Sequence, residues 1–247
     1  CQALVGKTAN NQSINIDGGT FTAKGIKAST GATGTNRLNL NGGLLVLGDV
    51  GITSYGSTTI GVNVSANSEI RASAATLPIS QAVTIAADKV LSFSKTDGVS
   101  SATVSLTGAV SGTGGISVGP GVTLNLGTNR PEGEISVDAA GALAVVMANK
   151  ADLPVLKVSS NPASVVLYDT DGTTALSGAN VIYDSEAGTI TVHPPVNTWN
   201  VEANLVFDTA ENWTFGLPES TQDTAIKVTG DAELTIAGTY EAATLTV

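Results

Sequence analysis

Three acidic residues in the middle of the chain are the best candidates for catalytic chemistry. Glu132, Glu134 and Asp138 lie close together in the sequence, and paired carboxylates can act as the acid and base that cleave a polysaccharide. A cleft for such a substrate usually carries further basic or aromatic side chains, and here only Arg130 is near. We therefore interpret the three carboxylates as a charged, exposed turn, and a polysaccharide-active enzyme as the least favoured function.

A second pattern matches the nucleophile of a serine hydrolase. Residues 115–119 read Gly-Ile-Ser-Val-Gly, which fits the Gly-x-Ser-x-Gly string with Ser117 as the nucleophile. That motif requires a helix after the turn, but Gly-Pro-Gly and a strand pattern follow it here. The one histidine, His193, precedes two prolines, where we expect a solvated loop. The sequence thus predicts no catalytic residue and a chain that is not an enzyme.

Metal and phosphate sites are also not predicted. Asp169 and Asp171 stand in a Gly-containing turn, but their spacing does not fit a calcium-binding loop. Asp184 and Glu186 could approach each other if adjacent turns of the chain stack, but a hydrated turn is the simpler interpretation. No helix is expected after the glycines of residues 112–115, so they form no phosphate cradle. We predict no metal-binding residue, no cofactor-binding residue and no cofactor.

Composition argues against several classes of protein. The 247 residues are 42% hydrophobic but only 13% charged and 4% aromatic, which does not suit a helical bundle. A formal net charge of −10 repels nucleic acid and anionic membranes. No apolar run is long enough to cross a bilayer, so no transmembrane segment is predicted. The one cysteine, Cys1, excludes an intrachain disulfide.

An internal repeat is the main signal in the sequence. Residues 14–23 align with residues 38–47 at an offset of 24, with the apolar positions, an asparagine and a Gly-Gly pair in register. Each segment reads as a strand, a Gly-Gly turn and a second strand. If the copies stack, Ile14 lies next to Leu38, and Asn15 and Asn39 form a side-chain ladder.

Looser copies of this pattern continue along the chain. Each has two short alternating strands separated by about five turn-forming residues, and the starts are mostly 21 to 24 residues apart. The copy at Ile116 does not fit this spacing. It is either an extra strand within a coil or a sign that the start of the repeat is assigned to the wrong residue. The starts are Ile14, Leu38, Val62, Val83, Val104, Ile135 and Leu156, and the pattern returns at Ile226.

These strand pairs predict an all-β fold. A pair that repeats every 21–24 residues cannot bury its apolar side alone. Stacking of successive coils about 4.8 Å apart would give a β-solenoid, which for the whole chain would have about ten turns. The alternative is a β-sandwich with Greek-key pairing. The constant period and the recurrence of residue types favour the solenoid.

One stretch resembles a known family. Residues 102–127 contain a Ser-Gly-Thr-Gly-Gly core at residues 111–115, and they resemble the autotransporter-associated β-strand repeat of bacterial surface proteins. Ser117 and Val118 replace the basic residue and threonine of the usual family unit. The resemblance implies a right-handed parallel β-helix in an exported passenger region, and it implies no enzymatic activity. It is carried by Leu106, Gly108, residues 111–115, Gly119, Gly121, Leu124 and Leu126.

A change of composition marks a boundary near residue 195. Residues 1–195 have 13 acidic and 10 basic residues, whereas residues 196–247 have eight acidic residues and one basic residue. Trp199 and Trp213 both lie in the second segment, which follows a Pro-Pro pair. We predict a solenoid repeat region over 1–195 and the start of a second β unit, or a cap, over 196–247. A sugar-stacking platform is the functional alternative for the tryptophans.

Three functions remain, and the sequence favours the first. The chain is expected to be a non-catalytic structural or adhesive segment of a secreted bacterial surface protein, located outside the cell or on the outer cell surface. The runner-up is a subunit of an extracellular filament, because residues 243–247 end in a strand pattern without an edge-protecting feature. The expected partners are other copies of the chain or extracellular glycans.

Overall fold

A computed structural model shows an all-β chain of stacked parallel strands. Every regular element among the described residues is a strand, and we number the strands β1 to β23 in chain order. The strands form coils, and each complete coil passes through three faces, which we name A, B and C. The structure describes residues 2–5, 12–28, 36–54, 58–149, 152–195, 197–199, 223–226 and 244–246.

Face A is a sheet of five short strands. Its neighbours pair in parallel and come from successive coils. The strands, in order, are β2 (Ser13–Ile16), β4 (Asn36–Leu40), β6 (Ile60–Val64), β9 (Val83–Ile85) and β12 (Val110–Ser111).

Faces B and C are joined through two long strands that bend from one face to the other. These are β3 (Thr20–Ala28) and β5 (Gly43–Thr53). Face B continues with β7 (Ser68–Ala72), β10 (Val90–Lys95), β13 (Gly115–Val118) and β15 (Ile135–Val137). Face C comprises β1 (Gln2–Val5), the ends of β3 and β5, β8 (Thr76–Ile79), β11 (Ala102–Leu106), β14 (Val122–Asn125), β16 (Ala142–Val146) and β18 (Val165–Tyr168).

The pairing confirms the β-solenoid. Ile14 pairs with Leu38 and Asn15 with Asn39 in parallel register, as the offset of 24 predicts. A Greek-key sandwich would instead pair consecutive strands antiparallel, so the sandwich alternative is wrong for these coils. The described part of the stack has about six turns.

The phase of the predicted repeat was partly wrong. A complete coil has three strands rather than two, so Val104 belongs to the third strand of a coil and does not start a new one. Ile116 lies in the second strand of the following coil, whose first strand, β12, is only two residues long. The irregular start at Ile116 is therefore an error of phase and not an extra strand.

Aliphatic side chains fill the inside of the coils. Residues that alternate along each strand point inward and stack on the same position of the next coil. One column on face B contains Leu45, Ile70, Phe93 and Val118, all at most 1% exposed. Each such burial contributes about 1.5–3 kcal/mol, which compensates for strands too short to be stable alone.

One corner requires a glycine. Gly51 lies where β5 bends from face B to face C, with φ of +63°. A Cβ at this position would stand 1.9 Å from the main-chain oxygen of Pro78 in the next coil. Only glycine satisfies both the left-handed backbone and the close approach of the two chains.

Antiparallel strands follow the parallel stack. β17 (Val155–Lys157), β20 (Thr189–His193) and β19 (Asn180–Asp184) form a three-stranded antiparallel sheet. The outer edge of β18 is covered in a similar way, because the N–H of Leu176 donates to the oxygen of Leu167. This change of direction was not predicted from the sequence.

Three further short strands pair in parallel near the end of the chain. β21 (Asn197–Trp199), β22 (Asp223–Ile226) and β23 (Thr244–Thr246) place Trp199 opposite Ile226. Trp213 lies outside the described residues. The boundary at residue 195 stays a prediction. Within the described part of the chain, no helix is long and apolar enough to cross a membrane.

Candidate functional site

A column of asparagine side chains runs along the outer surface of face A. Nδ2 of Asn39 donates to Oδ1 of Asn15 at 2.7 Å, and Nδ2 of Asn63 donates to Oδ1 of Asn39 at 2.9 Å. The three residues are 24 positions apart, and each lies between two aliphatic residues that belong to the core or pack against it. Parallel, in-register strands put equivalent residues directly above one another, so each amide reaches the next.

A second column runs beside the first at the corner between faces A and B. Nδ2 of Asn41 donates to Oδ1 of Asp17 at 2.7 Å, and Oγ of Ser65 donates to Oδ1 of Asn41. Both columns therefore donate in the same direction, from later coils towards earlier ones. We call the two columns together the face A ladder.

Hydroxyl groups extend the outer surface of face A over two more coils. Thr84 is the register partner of Asn63, and its Oγ1 shares a hydrogen bond of 3.0 Å with Oγ of Ser111. Each asparagine amide has two N–H groups and one carbonyl oxygen, and a ladder bond occupies only one N–H. The free donors and acceptors form a regular, nearly neutral array that suits a partner rich in hydroxyl groups.

The sequence predicted only part of this ladder. Asn15 and Asn39 were expected to stack because their segments align closely. Asn63 was missed, although it stands 24 residues after Asn39 and follows the apolar Val62 in the looser repeat. The column of Asp17, Asn41 and Ser65 was missed because its three residues differ in type.

Two grooves lie at the corner between faces C and A. One, of about 360 Å³, is lined by Asn36 and Gln81 among others, and a second, of about 400 Å³, includes Asn129. Gln81 and Asn129 each bind a main-chain N–H of the fold, whereas Oδ1 of Asn36 is buried without a hydrogen-bond partner. Oε1 of Gln81 accepts the N–H of Ile60 at 2.7 Å, and Oδ1 of Asn129 accepts the N–H of Val110 at 3.1 Å.

The acidic candidates do not gather around Arg130. Glu132, Glu134 and Asp138 are exposed, in agreement with the predicted charged turn. The guanidinium of Arg130 instead binds Oδ2 of Asp152 at 2.8 Å and three main-chain oxygens at 2.9–3.4 Å. Arg130 thus links two loops of the stack, and its guanidinium is engaged by these structural contacts.

The serine-hydrolase pattern lacks its required setting. Ser117 lies on β13, and a turn and strand β14 follow it, so the helix of a nucleophile elbow is missing at this place. His193 is not in a loop as expected. It is the last residue of β20, where it pairs with Asn180 and is half-buried.

The remaining aspartates organise turns. Asp171 accepts hydrogen bonds from the N–H groups of Thr173 and Thr174, at 2.7 and 2.8 Å, and from the Thr174 hydroxyl at 2.6 Å. The hydroxyl bond and then the two N–H bonds lower the pKa of Asp171 to about 2. Oδ1 of Asp184 accepts the N–H of Glu186 at 2.9 Å within the same turn, so these two residues are not brought together by stacking.

Metal coordination has no candidate in the described part of the chain. No group of three or more histidine, cysteine or acidic residues is arranged there to hold a metal ion. The aspartate oxygens in the two turns above already accept hydrogen bonds from their own turns.

Comparison with known proteins gave no relative. No protein-family model, no curated protein and no solved structure matched this chain.

Proposed function

We propose that this chain is a non-catalytic, adhesive scaffold segment of a bacterial surface protein, and that it acts outside the cell. The observation that carries the proposal is the face A ladder, an ordered row of amides on a rigid face. The resemblance of residues 102–127 to passenger repeats supports the extracellular location. The weak charge of the chain, 13% of residues, fits a surface that binds by hydrogen bonds rather than by ion pairing.

Extracellular glycans are the proposed partners. A sugar presents a series of hydroxyl groups, each both a donor and an acceptor, and an amide complements both roles. Asn39 and Asn63 are fixed by the ladder bonds, so little side-chain entropy is lost when they bind. An extended polysaccharide lying along the stack could contact several coils, and the weak contacts would add through multivalency.

A glycan array tests this proposal. The wild-type chain is compared with the double variant Asn39→Thr and Asn63→Thr, which keeps strand-forming residues but removes the amides. Thr103→Val on face C is the matched control, because Thr103 faces outward from the same fold without belonging to the ladder.

Binding by the wild type and the control, but not by the double variant, is the expected result. Failure of the wild type to bind any host or bacterial polysaccharide would remove the adhesive part of the proposal. Equal binding by all three proteins would show that the glycan-binding surface is not the face A ladder.

Filament assembly is less well supported. The edges of β17 and β18 at the end of the parallel stack are occupied by β20 and by residues 174–176. Covered edges of this kind oppose strand-to-strand association at this end of the stack. The strand on which the filament hypothesis rests, β23, pairs with β22 alone in the described part of the chain.

A further inference from the structure

Asn41 occupies an unusual position in the face A ladder. It is exposed and stands in the turn between β4 and β5, where the chain leaves face A. Gly42 follows it, and this is the one Asn-Gly pair in the sequence. Glycine has no side chain to shield its nitrogen, and its backbone is freer than that of any other residue.

We propose that Asn41 is a site of spontaneous deamidation and that the coil stacked above it restrains the reaction. The main-chain nitrogen of Gly42 forms a bond to Cγ of Asn41, and Nδ2 leaves as ammonia, which also takes up the Gly42 proton. The resulting five-membered imide is opened by solvent water to give aspartate or isoaspartate. The net change is the replacement of the amide NH₂ group by a hydroxyl from water, which then ionises.

The first restraint acts on the carboxamide of Asn41. Its Nδ2 donates to Asp17 at 2.7 Å, and its Oδ1 accepts a hydrogen bond from Ser65. The group is therefore held between the coil below and the coil above. Rotation of Cγ towards the main-chain nitrogen of Gly42 would break both bonds.

The second restraint acts on the attacking nitrogen. The N–H of Gly42 donates to Oγ of Ser68 at 3.1 Å, and Ser68 is only 6% exposed. The Ser68 hydroxyl proton is directed to the oxygen of Ala66 at 2.9 Å, so an oxygen lone pair remains for Gly42. Gly42 must give up this bond before its nitrogen can attack, which assigns Ser68 a protective role.

The reaction would change the ladder as well as the charge. The new carboxylate has no proton to donate to Asp17, so a hydrogen bond of 2.7 Å is replaced by repulsion between two negative groups. Strand β2, which pairs with β4 beside this bond, would then be held less firmly to the stack.

Timed peptide mass spectrometry of the full chain tests the proposal. The protein is incubated folded in mildly alkaline buffer, with a sample unfolded in urea alongside, and fragment ions assign the mass gain to single asparagines. Asn15 and Asn39 are internal controls, because they lie in the same ladder but precede isoleucine and leucine.

Two serine variants isolate the restraint. Ser68→Ala removes the acceptor for Gly42, whereas Ser73→Ala removes a hydroxyl of the same coil that donates to the Leu47 oxygen. We expect Asn41 to deamidate roughly three- to tenfold faster in the first variant, the factor given by loss of one hydrogen bond, and at the wild-type rate in the second. Ser65→Ala, which frees the carboxamide, should also accelerate the reaction.

Three results would overturn the inference. One is an unchanged Asn41 in every folded sample while the urea sample reacts to completion. Another is an equal rate of Asn41 deamidation in the folded and the unfolded wild type, which would show that the fold does not restrain the reaction. The third is a Ser68→Ala variant that folds but deamidates no faster than Ser73→Ala.

Discussion

Oε1 of Gln81 accepts the main-chain N–H of Ile60 at 2.7 Å, across 21 residues and one step of the stack. Ile60 begins β6, but the overlying strand β9 begins only at Val83, which is in register with Val62. The main-chain hydrogen bonds between β6 and β9 therefore begin after Ile60 and leave its N–H without a main-chain acceptor on β9. A side chain supplies the missing acceptor for a buried N–H group.

Replacement of Gln81 by leucine should destabilise the stack. The variant leaves the buried N–H of Ile60 without a partner, which costs about 1–3 kcal/mol in the free energy of unfolding. Thr107→Ala, an exposed change at the same corner one coil later, should shift it by less than about 0.5 kcal/mol. Urea unfolding measures both values. Equal stability of the two variants would show that the Gln81 bond is unimportant.

Replacement by alanine should destabilise the protein at Gly51 but not at Gly98. Gly51→Ala puts a Cβ 1.9 Å from the Pro78 oxygen at φ of +63°, and we expect a loss of at least about 2 kcal/mol. A Cβ at Gly98 meets nothing within 4 Å, and φ there is not in the left-handed region. Gly98→Ala should be neutral within about 1 kcal/mol. Thermal unfolding of the pair checks this, and a tolerated Gly51→Ala would refute the tight corner.

The Arg130–Asp152 and Lys24–Asp49 ion pairs should differ in strength. Asp152→Asn breaks a bond of 2.8 Å to Arg130 between side chains only 24% and 21% exposed, and should cost about 1–3 kcal/mol. Asp49→Asn breaks a pair of 3.6 Å to Lys24 between side chains 57% and 61% exposed. Its effect should be at most about 1 kcal/mol and should vanish in salt. Denaturant unfolding at low and high salt distinguishes them, and equal losses would contradict the assignment.

Acid should loosen the turn held by Asp171. The pKa of Asp171 is lowered from 3.8 to about 2, so its contribution to folding is complete above 3.8 and is lost as pH falls through 2. The amides of Thr173 and Thr174 should lose protection from hydrogen exchange over this range, after correction for intrinsic rates. The amide of Leu176 donates to a main-chain oxygen and serves as the control. Parallel loss at all three amides would indicate general unfolding instead.

The stacking of the first coils could be predicted because their sequences are nearly repeated. Ile14 with Leu38 and Asn15 with Asn39 follow from one offset, and a parallel sheet converts an offset directly into neighbours. Later coils differ in length. Residues that are hydrogen-bonded between neighbouring coils are 21 residues apart for Gln81 and its partner, 27 for Ser111 and its partner, and 19 for Asn129 and its partner. A search for a constant period therefore loses the phase after the third coil.

Other features left no periodic signal. Strand β20 alternates apolar and polar residues just as the parallel strands do, and β19 alternates exposed and half-buried positions. Neither alternation records strand direction. Gln81 and Asn129 each read as a single polar residue in a turn, although both replace a main-chain acceptor. The face A ladder was predicted only at Asn15 and Asn39, and its second column was hidden by the change from Asp17 to Asn41 and Ser65.

The unequal coil lengths have a consequence for how such a chain can change over time. The inner positions of neighbouring coils, such as Leu77 and Val104, remain paired across a step of 27 residues, so the extra residues of a long coil are accommodated outside the paired strands. New segments could therefore enter between two faces without disturbing the packed interior. The corners are accordingly where we would graft a peptide epitope or a reactive group onto this stack of coils.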